Sequence, residues 1–315
     1  MKAVDSHLLT LLKKSSQFIV PIYQRVYSWQ ESECEQLWSD ILRAGVTDRM
    51  GAHFTGSIVY VARGQSTNTS AEPDLIIDGQ QRVTTVTLVL AALAQHLDTL
   101  PEDEREPWDG FSPKKIRNRY LLNDDEDGER QFKLVLSQGD RDALKAIVLG
   151  AEPDDDIPTR VTTNFQFFRN KFSDPALDLA ALCRGLDKLV VVDVTLTRGV
   201  DNPQLVFEAM NSTGRKLSQA DLIRNYVLMD MPPKEQDALY TAYWRPMELE
   251  FVGSNDSQFD EFVRHYLTIK TGEIPRLGDI YDAFKAYSFQ FVTSGQSMDD
   301  LVIELRQYAK RYGAI

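Results

Sequence analysis

The chain has 315 residues, 43% of them hydrophobic and 26% charged, a balance typical of a globular protein with one large or two ordinary domains. A formal net charge of −12 argues against binding nucleic acid by overall attraction, so any DNA contact must use local basic patches such as residues 114–119. With no bilayer-length apolar run, no signal-peptide pattern and two cysteines in all, the sequence predicts a protein of the reducing cytoplasm without membrane contacts.

The first 200 residues mix helix and strand signals. An amphipathic helix is predicted over 4–14, and Ser28 with Glu31 forms a capping-box pattern that opens a second helix. A largely buried helix is predicted to begin near Val83, where apolar residues follow helical spacing. The predicted strands, from alternating or continuous β-branched and aromatic residues, are 54–63, 75–77, a piece near 131–136, and 188–196.

From Asn202 onward the pattern is helical, with breaks at prolines and glycines such as Pro232 and Gly272. The predicted fold class is therefore α+β, with a small sheet in the first part of the chain and a helical region after it. The predicted domains are residues 1–200 and residues 201–315.

The first segment that carries chemistry is Asp-Gly-Gln-Gln-Arg at 78–82, predicted as a polar turn between a buried strand and a helix. Such a turn exposes backbone N–H groups at a helix N-terminus, where anions bind. Gly79 permits close approach of a ligand, Arg82 can grip phosphate with two hydrogen bonds, and Asp78 could hold Mg²⁺. The alternative is an ordinary turn with Asp78 as helix cap.

The second segment, residues 21–29, concentrates aromatic and polar side chains that suit stacking on bases or packing against a modified group. Its candidates for sensing DNA or its modification are Tyr23, Gln24, Arg25, Tyr27 and Trp29. The alternative is an aromatic cluster that anchors the core.

The third segment, residues 206–225, predicts a helix, a Ser-Thr-Gly turn and a second helix capped by Ser218. Arg215 and Lys216 fall on the turn, where they could reach phosphate. Asp221 and Arg224 share one helical face, and the alternative is a plain helical hairpin with a surface ion pair.

Together, and in this order, the three segments resemble the N-terminal domain of GmrSD-type restriction proteins, which also occurs in phosphorothioate-sensing Ssp restriction systems. The shared patterns are P-x-Y-Q-R-x-Y-x-W, D-G-Q-Q-R-x-T-T and F-x-x-x-N-x-x-G-x-x-L-x-x-x-D-L-I-[KR]-N. The resemblance covers roughly residues 10–250. It implies a ParB/sulfiredoxin-like mixed sheet and a bacterial, modification-dependent restriction function in defence against phage.

The resemblance further implies hydrolysis of a nucleoside triphosphate, GTP or ATP, with Mg²⁺, under the control of modified double-stranded DNA such as phosphorothioated or glucosylated DNA. The residues assigned to catalysis are Asp78, Gln81 and Arg82. The residues assigned to nucleotide binding are Gly79, Gln80, Thr84, Asn211, Thr213, Gly214, Arg215 and Lys216. DNA cleavage is expected from a His-Asn-His nuclease domain, C-terminal or on a separate chain, and not from these 315 residues unaided.

Two other functions stay open at the level of sequence. A cradle for phosphate looks the same whether or not water is activated, so a non-catalytic, nucleotide-switched DNA-binding module is the main alternative. A sulfiredoxin-like redox enzyme would need a reactive cysteine beside the turn, and neither Cys34 nor Cys183 lies within it. The preferred nucleotide, the modification read and the oligomeric state, for which a homo-oligomer is an option, are not encoded in any pattern.

Overall fold

The computed structural model describes residues 1–47, 51–62, 73–152, 159–211, 217–229, 231–251 and 257–313. The chain forms two compact units, one built from Met1–Pro21 and Val26–Pro203, the other from Ile22–Arg25 and Gln204–Ile315. We call them the sheet unit and the helical unit. Four residues of the aromatic segment thus belong to the helical unit, which no sequence pattern indicated.

The sheet unit contains a six-stranded mixed sheet with the order β1-β6-β3-β4-β2-β5, which confirms the α+β class. Its strands are β1 Lys2–His7, β2 Phe18–Ile19, β3 His53–Ala62, β4 Asp74–Asp78, β5 Leu134–Val135 and β6 Leu189–Thr197. β6 runs parallel to β3 and β3 antiparallel to β4, so β4 delivers its end, Asp78, beside the middle of β3. The four valines of β6 favour a strand, and its positions alternate for the most part between buried and half-buried.

Helices pack around this sheet, and their bounds are α1 Leu8–Lys14, α2 Glu31–Val46, α3 Gln80–Asp98, α4 Pro113–Ile116, α5 Gln138–Val148, α6 Arg160–Phe172 and α7 Leu179–Asp187. α3 is buried on nearly every face, as its apolar sequence predicts, and its leucines and valines lie at the centre of the core. α2 and α7 cross closely at Gly45 and Gly185. A Cβ on either glycine would lie within 2 Å of a backbone carbonyl oxygen of the other helix, so only glycine fits.

Three predicted boundaries were wrong. Residues 2–7 form strand β1, whereas a helix was predicted from residue 4, because pairing with β6 overrides the weak amphipathic signal. α2 begins at Glu31 with Gln30 as its cap, and the Glu33 carboxylate accepts the Gln30 N–H, so Ser28 is not the cap. α3 begins at Gln80, three residues before the predicted start at Val83.

The helical unit consists, within its described residues, of helices and short connections. Their bounds are α8 Pro203–Asn211, α9 Gln219–Leu228, α10 Pro233–Leu239, a π-helical turn Tyr240–Trp244, α11 Arg245–Leu249, α12 Ser257–Thr271, α13 Ile280–Thr293 and α14 Met298–Tyr312. Large aromatic side chains fill its core, among them Trp244, Tyr266 and Phe284. No helix in the described ranges has both the length and the apolar character needed to cross a bilayer.

Candidate functional site

The corner between β4 and α3 turns on a single glycine. Gly79 has φ +89°, and it separates the last strand residue, Asp78, from the first helical residue, Gln80. A Cβ on Gly79 would lie 2.7 Å from the Ser57 carbonyl oxygen, so both the conformation and the space require glycine. The five-residue turn predicted at 78–82 is thus one residue long. Gly79 supplies no side-chain cap to this 19-residue helix, whose N-terminus is the positive end of its dipole.

A second glycine shapes this corner from the neighbouring strand. The register of β3 against β6 shifts between Phe54 and Ser57, and Gly56 within this bulge has φ +112°. A Cβ on Gly56 would lie 2.5 Å from Nη2 of Arg82, so its absence makes room for the guanidinium. Gly56 is not among the site residues predicted from the sequence, although a glycine inside a predicted strand is a signal of a bulge or a close approach.

Arg82 lies in the first turn of α3 and is half-buried over this glycine. Its Nη1 donates to the Ser57 carbonyl oxygen at 2.7 Å, and within the described part of the chain this is its one hydrogen bond. Burial lowers the pKa of the guanidinium, and the nearby Asp78 carboxylate acts in the opposite direction. A desolvated cation with unused donors is stabilised by a bound anion.

Gln81, the neighbour of Arg82, points elsewhere. Its Oε1 accepts the backbone N–H groups of Ser28 at 2.8 Å and Trp29 at 3.2 Å, and its Nε2 donates to the Val26 carbonyl oxygen at 3.3 Å. The side chain is buried. Predicted as a catalytic residue, Gln81 instead binds the backbone of the aromatic segment with its amide.

Tyr27 is enclosed in the sheet unit. Its hydroxyl lies 2.7 Å from Thr85 Oγ1 and accepts from Asn164 Nδ2 at 3.0 Å, while its backbone N–H donates to the buried Asp140 carboxylate at 2.7 Å. Burial raises the pKa of Asp140 to about 6, and the hydrogen bond from the Tyr27 N–H opposes this rise only in part. This is the core-anchoring alternative for Tyr27, whose partners no sequence pattern indicated.

The structure sorts the predicted site residues by exposure. Those with buried side chains are Tyr23, Gln24, Tyr27, Gln80, Gln81 and Thr84. Those that are half-buried, and so open to a ligand in part, are Asp78, Gly79, Arg82, Arg25 and Trp29. The residues Thr213, Gly214, Arg215 and Lys216 lie outside the described residues, and Asn211 is described only as the last residue of α8.

The third segment contributes a buried ion-pair network to the helical unit. Arg224 donates to Asp221 Oδ1 at 2.7 Å, to Glu248 Oε1, and to the Tyr23 carbonyl oxygen at 2.7 Å. Trp244 Nε1 donates to the same Glu248 carboxylate at 2.8 Å. The predicted ion pair of Asp221 and Arg224 does form, but Arg224 is buried, and each of its three guanidinium nitrogens donates a hydrogen bond. Ser218 caps α9 as predicted.

The thiols and the carboxylates bear on the remaining chemistry. Both cysteines are buried, and burial raises the pKa of Cys34 to about 11 and of Cys183 to about 12. Neither thiol therefore has the thiolate character that redox catalysis needs. In the described ranges no three His, Cys, Asp or Glu side chains form a metal-binding group, which leaves Asp78 as the candidate Mg²⁺ ligand predicted from the sequence. One carboxylate fits a Mg²⁺ ion that is held chiefly by phosphate oxygens and water.

Comparison with known families gives one finding. The model of the family described as GmrSD restriction endonuclease, N-terminal domain, matches residues 8–228, well over half of the chain. The matched range contains the β4–α3 corner, the aromatic segment and the Arg224 helix. A search of curated proteins found no match.

Proposed function

The chain belongs to the family of the GmrSD restriction endonuclease N-terminal domain and is part of a restriction-system protein, and from this premise we propose that its β4–α3 corner binds and hydrolyses a nucleoside triphosphate. The corner joins a helix N-terminus whose cap residue is a glycine, room for a ligand to approach the backbone at that glycine, and a guanidinium that makes one hydrogen bond within the described residues. Each of these favours an oxygen-rich anion.

Arg82 carries the proposal. Its desolvation is costly, and the described chain compensates it only with the Ser57 carbonyl and the more distant Asp78. A phosphate group bound beside Gly79 would accept the remaining N–H donors and neutralise the charge. The same contact strengthens as negative charge develops on the transferred phosphoryl group, which is how a guanidinium accelerates phosphoryl transfer.

Asp78 is the residue that would hold Mg²⁺ beside the phosphates. When bound, the ion would neutralise phosphate charge. The Gly79 backbone would lie against the phosphate chain. Gln80 and Thr84 are buried, so they would support the first turn of α3 from inside the protein and would not contact the nucleotide with exposed side chains. Of the three residues first assigned to catalysis, Asp78 and Arg82 keep that role in the proposal, and Gln81 does not.

We place DNA sensing on the exposed parts of the aromatic segment. An enclosed side chain cannot stack on a base without rearrangement, so the half-buried Trp29 of the sheet unit is the contact proposed for modified DNA, and Arg25 of the helical unit is a separate candidate. The buried Tyr27 would support Trp29 within the sheet unit, and the buried Tyr23 and Gln24 would support Arg25 within the helical unit. DNA cleavage is assigned to a His-Asn-His nuclease domain or partner, as in the relatives that the motifs resemble.

The decisive experiment measures phosphate release from GTP, ATP and the other nucleoside triphosphates with Mg²⁺. Each is assayed alone and with plain, methylated, glucosylated or phosphorothioated duplex DNA. We expect release that depends on Mg²⁺, and a loss of at least about 100-fold in Arg82→Leu. The matched control is Arg130→Ala, an exposed arginine of the same unit, which should retain full activity. No release from any nucleotide under any condition contradicts hydrolysis.

One observation favours a second function, a nucleotide-switched DNA-binding module without turnover. The amide of Gln81, a residue assigned to catalysis from the sequence, is bound to main-chain groups. Calorimetry that finds tight, Arg82-dependent nucleotide binding together with no phosphate release would select this function.

A further inference from the structure

The side chain of Gln81 connects the aromatic segment to the β4–α3 corner. The Gln81 amide makes three hydrogen bonds to main-chain atoms of Val26, Ser28 and Trp29, within a segment of four residues. No helix or strand includes these residues, so they have no ladder of their own to fix their backbone. Their backbone is instead held by side chains: Gln81 from α3 makes three of the hydrogen bonds, Asp140 accepts the Tyr27 N–H, and Asn164 donates to the Trp29 carbonyl oxygen.

Thr85, one helical turn after Gln81, also contacts the aromatic segment. Thr85 lies four residues after Gln81, so the two side chains share a face of α3. Thr85 Oγ1 donates to the Gln81 carbonyl oxygen at 2.8 Å, which leaves it to accept from the Tyr27 hydroxyl at 2.7 Å. Gln81 and Thr85 thus contact the aromatic segment from one face of α3, and Arg82 extends from a different face toward β3.

We propose that Gln81 is a positioning residue, which fixes the backbone of residues 26–29 and thereby the placement of Trp29, and that it is not a nucleotide ligand. The adjacent residues of the D-G-Q-Q-R motif then divide two tasks. Arg82 meets phosphate, and Gln81 ties the DNA-sensing segment to the same helical turn. A regulatory use of these Gln81 hydrogen bonds rests on the proposed function, whereas the hydrogen bonds themselves can be tested without any ligand.

The first arm of the test needs no ligand. Hydrogen exchange at the Ser28 and Trp29 amides is compared in the full chain, Gln81→Met, Gln81→Glu and Gln95→Met. Gln95 lies on the same helix and donates to the Ile147 carbonyl oxygen, so its variant controls for the loss of a helix-borne amide. We expect exchange at both amides to quicken about tenfold or more in Gln81→Met and to be partly restored in Gln81→Glu, which keeps the acceptor.

The second arm separates positioning from ligand binding. In phosphate-release assays, Gln81→Met should keep the nucleotide KM within about threefold of the wild-type value while losing most of the stimulation by the most effective modified duplex. A KM raised about tenfold or more, with amide exchange unchanged, would show that Gln81 is a nucleotide ligand and overturn the proposal. Unchanged exchange in Gln81→Met overturns it whatever the kinetics.

Failure of the proposed function gives a different result. If the wild-type protein neither releases phosphate nor binds nucleotide, the proposed nucleotide site at the β4–α3 corner is contradicted. Faster amide exchange in Gln81→Met would still support the positioning role. Loss of stability in Gln81→Met is controlled by Gln81→Glu, in which the two N–H groups retain a carboxylate acceptor.

Discussion

Arg82 of the sheet unit and Arg224 of the helical unit both belong to motifs that mark the family, yet their surroundings are opposite. Arg224 is buried and meets two carboxylates and a carbonyl oxygen. Arg82 is half-buried and meets one carbonyl oxygen within the described chain. Burial lowers the pKa of both, but beside Arg224 the charges of Asp221 and Glu248 prevail and raise it.

The difference separates an arginine that holds the fold from one that awaits a ligand. A buried cation whose charge is compensated by two carboxylates gains little from a phosphate, so Arg224 is structural. Arg82 is desolvated and has only the more distant Asp78 carboxylate to oppose that cost, so it keeps the capacity to bind an anion. The presence of an arginine in a family motif therefore does not by itself indicate a nucleotide site.

The largest effect expected from this comparison is on Arg224. Arg224→Leu leaves the carboxylates of Asp221 and Glu248 without their cation, and breaking a buried pair costs about 3–5 kcal/mol. We expect urea denaturation of the full chain, followed by tryptophan fluorescence, to show a loss of stability of this size. Arg276→Ala, at an exposed arginine of the same unit, should change stability by less than about 0.5 kcal/mol. A neutral Arg224→Leu would remove the structural half of the comparison.

Asp140 tests the cost of an unpaired buried charge that has no ligand role. Its folded pKa of about 6 lies above the unfolded value of 3.8, so its stabilising contribution is complete below pH 3.8 and is lost as pH rises through 6. At pH 8 the charge should cost up to about 3 kcal/mol. Each pKa unit between the folded and unfolded values corresponds to about 1.4 kcal/mol, and the two values for Asp140 differ by about two units. Asp140→Asn removes that charge and keeps an acceptor for the Tyr27 N–H.

The measurement for Asp140 is the stability of Asp140→Asn minus that of the wild type, from pH 3.5 to 8. We expect the variant to be the more stable at pH 8 and the difference to vanish near pH 4. Taking the difference cancels the contribution of Asp74, whose pKa burial also raises to about 6. Asp142→Asn, at an exposed position of α5, should show a flat difference. A flat difference for Asp140→Asn as well would mean that its charge is compensated.

Much of this architecture could be predicted from local patterns. The valine run of β6 and the apolar spacing of α3 indicate their structures because burial dictates their composition. The boundary at Gln80 could not be predicted, since the polar residues 80–82 resemble a turn until their partners in β3 and in the aromatic segment are known. Likewise β1 exists because β6 pairs with it, which no short-range pattern encodes.

The site divides in the same way. The residue types at 78–82 indicate phosphate chemistry, and the structure leaves Asp78, Gly79 and Arg82 accessible in part. The distinction between Gln81 and Arg82 depends on directions that adjacent helical residues take, about 100° apart, and hence on which tertiary neighbour each meets. Gly56 shows a second limit of prediction from sequence. A glycine in a strand indicates that some group approaches the backbone closely, but the sequence does not identify that group as Arg82.

The smallest expected effect is also the sharpest test of the comparison. Arg82→Leu forfeits one hydrogen bond, worth about 1 kcal/mol, and removes the desolvation cost of the cation, so without nucleotide its stability should stay within about 1 kcal/mol of the wild-type value. Nucleotide at 100 times its Kd should stabilise the wild type by about 2.7 kcal/mol and leave Arg82→Leu unchanged. The same denaturation assay reads both quantities. If Arg82→Leu lost about 3 kcal/mol or more without nucleotide, Arg82 would be structural like Arg224, because only a cation that already holds the fold together is costly to remove before any ligand binds.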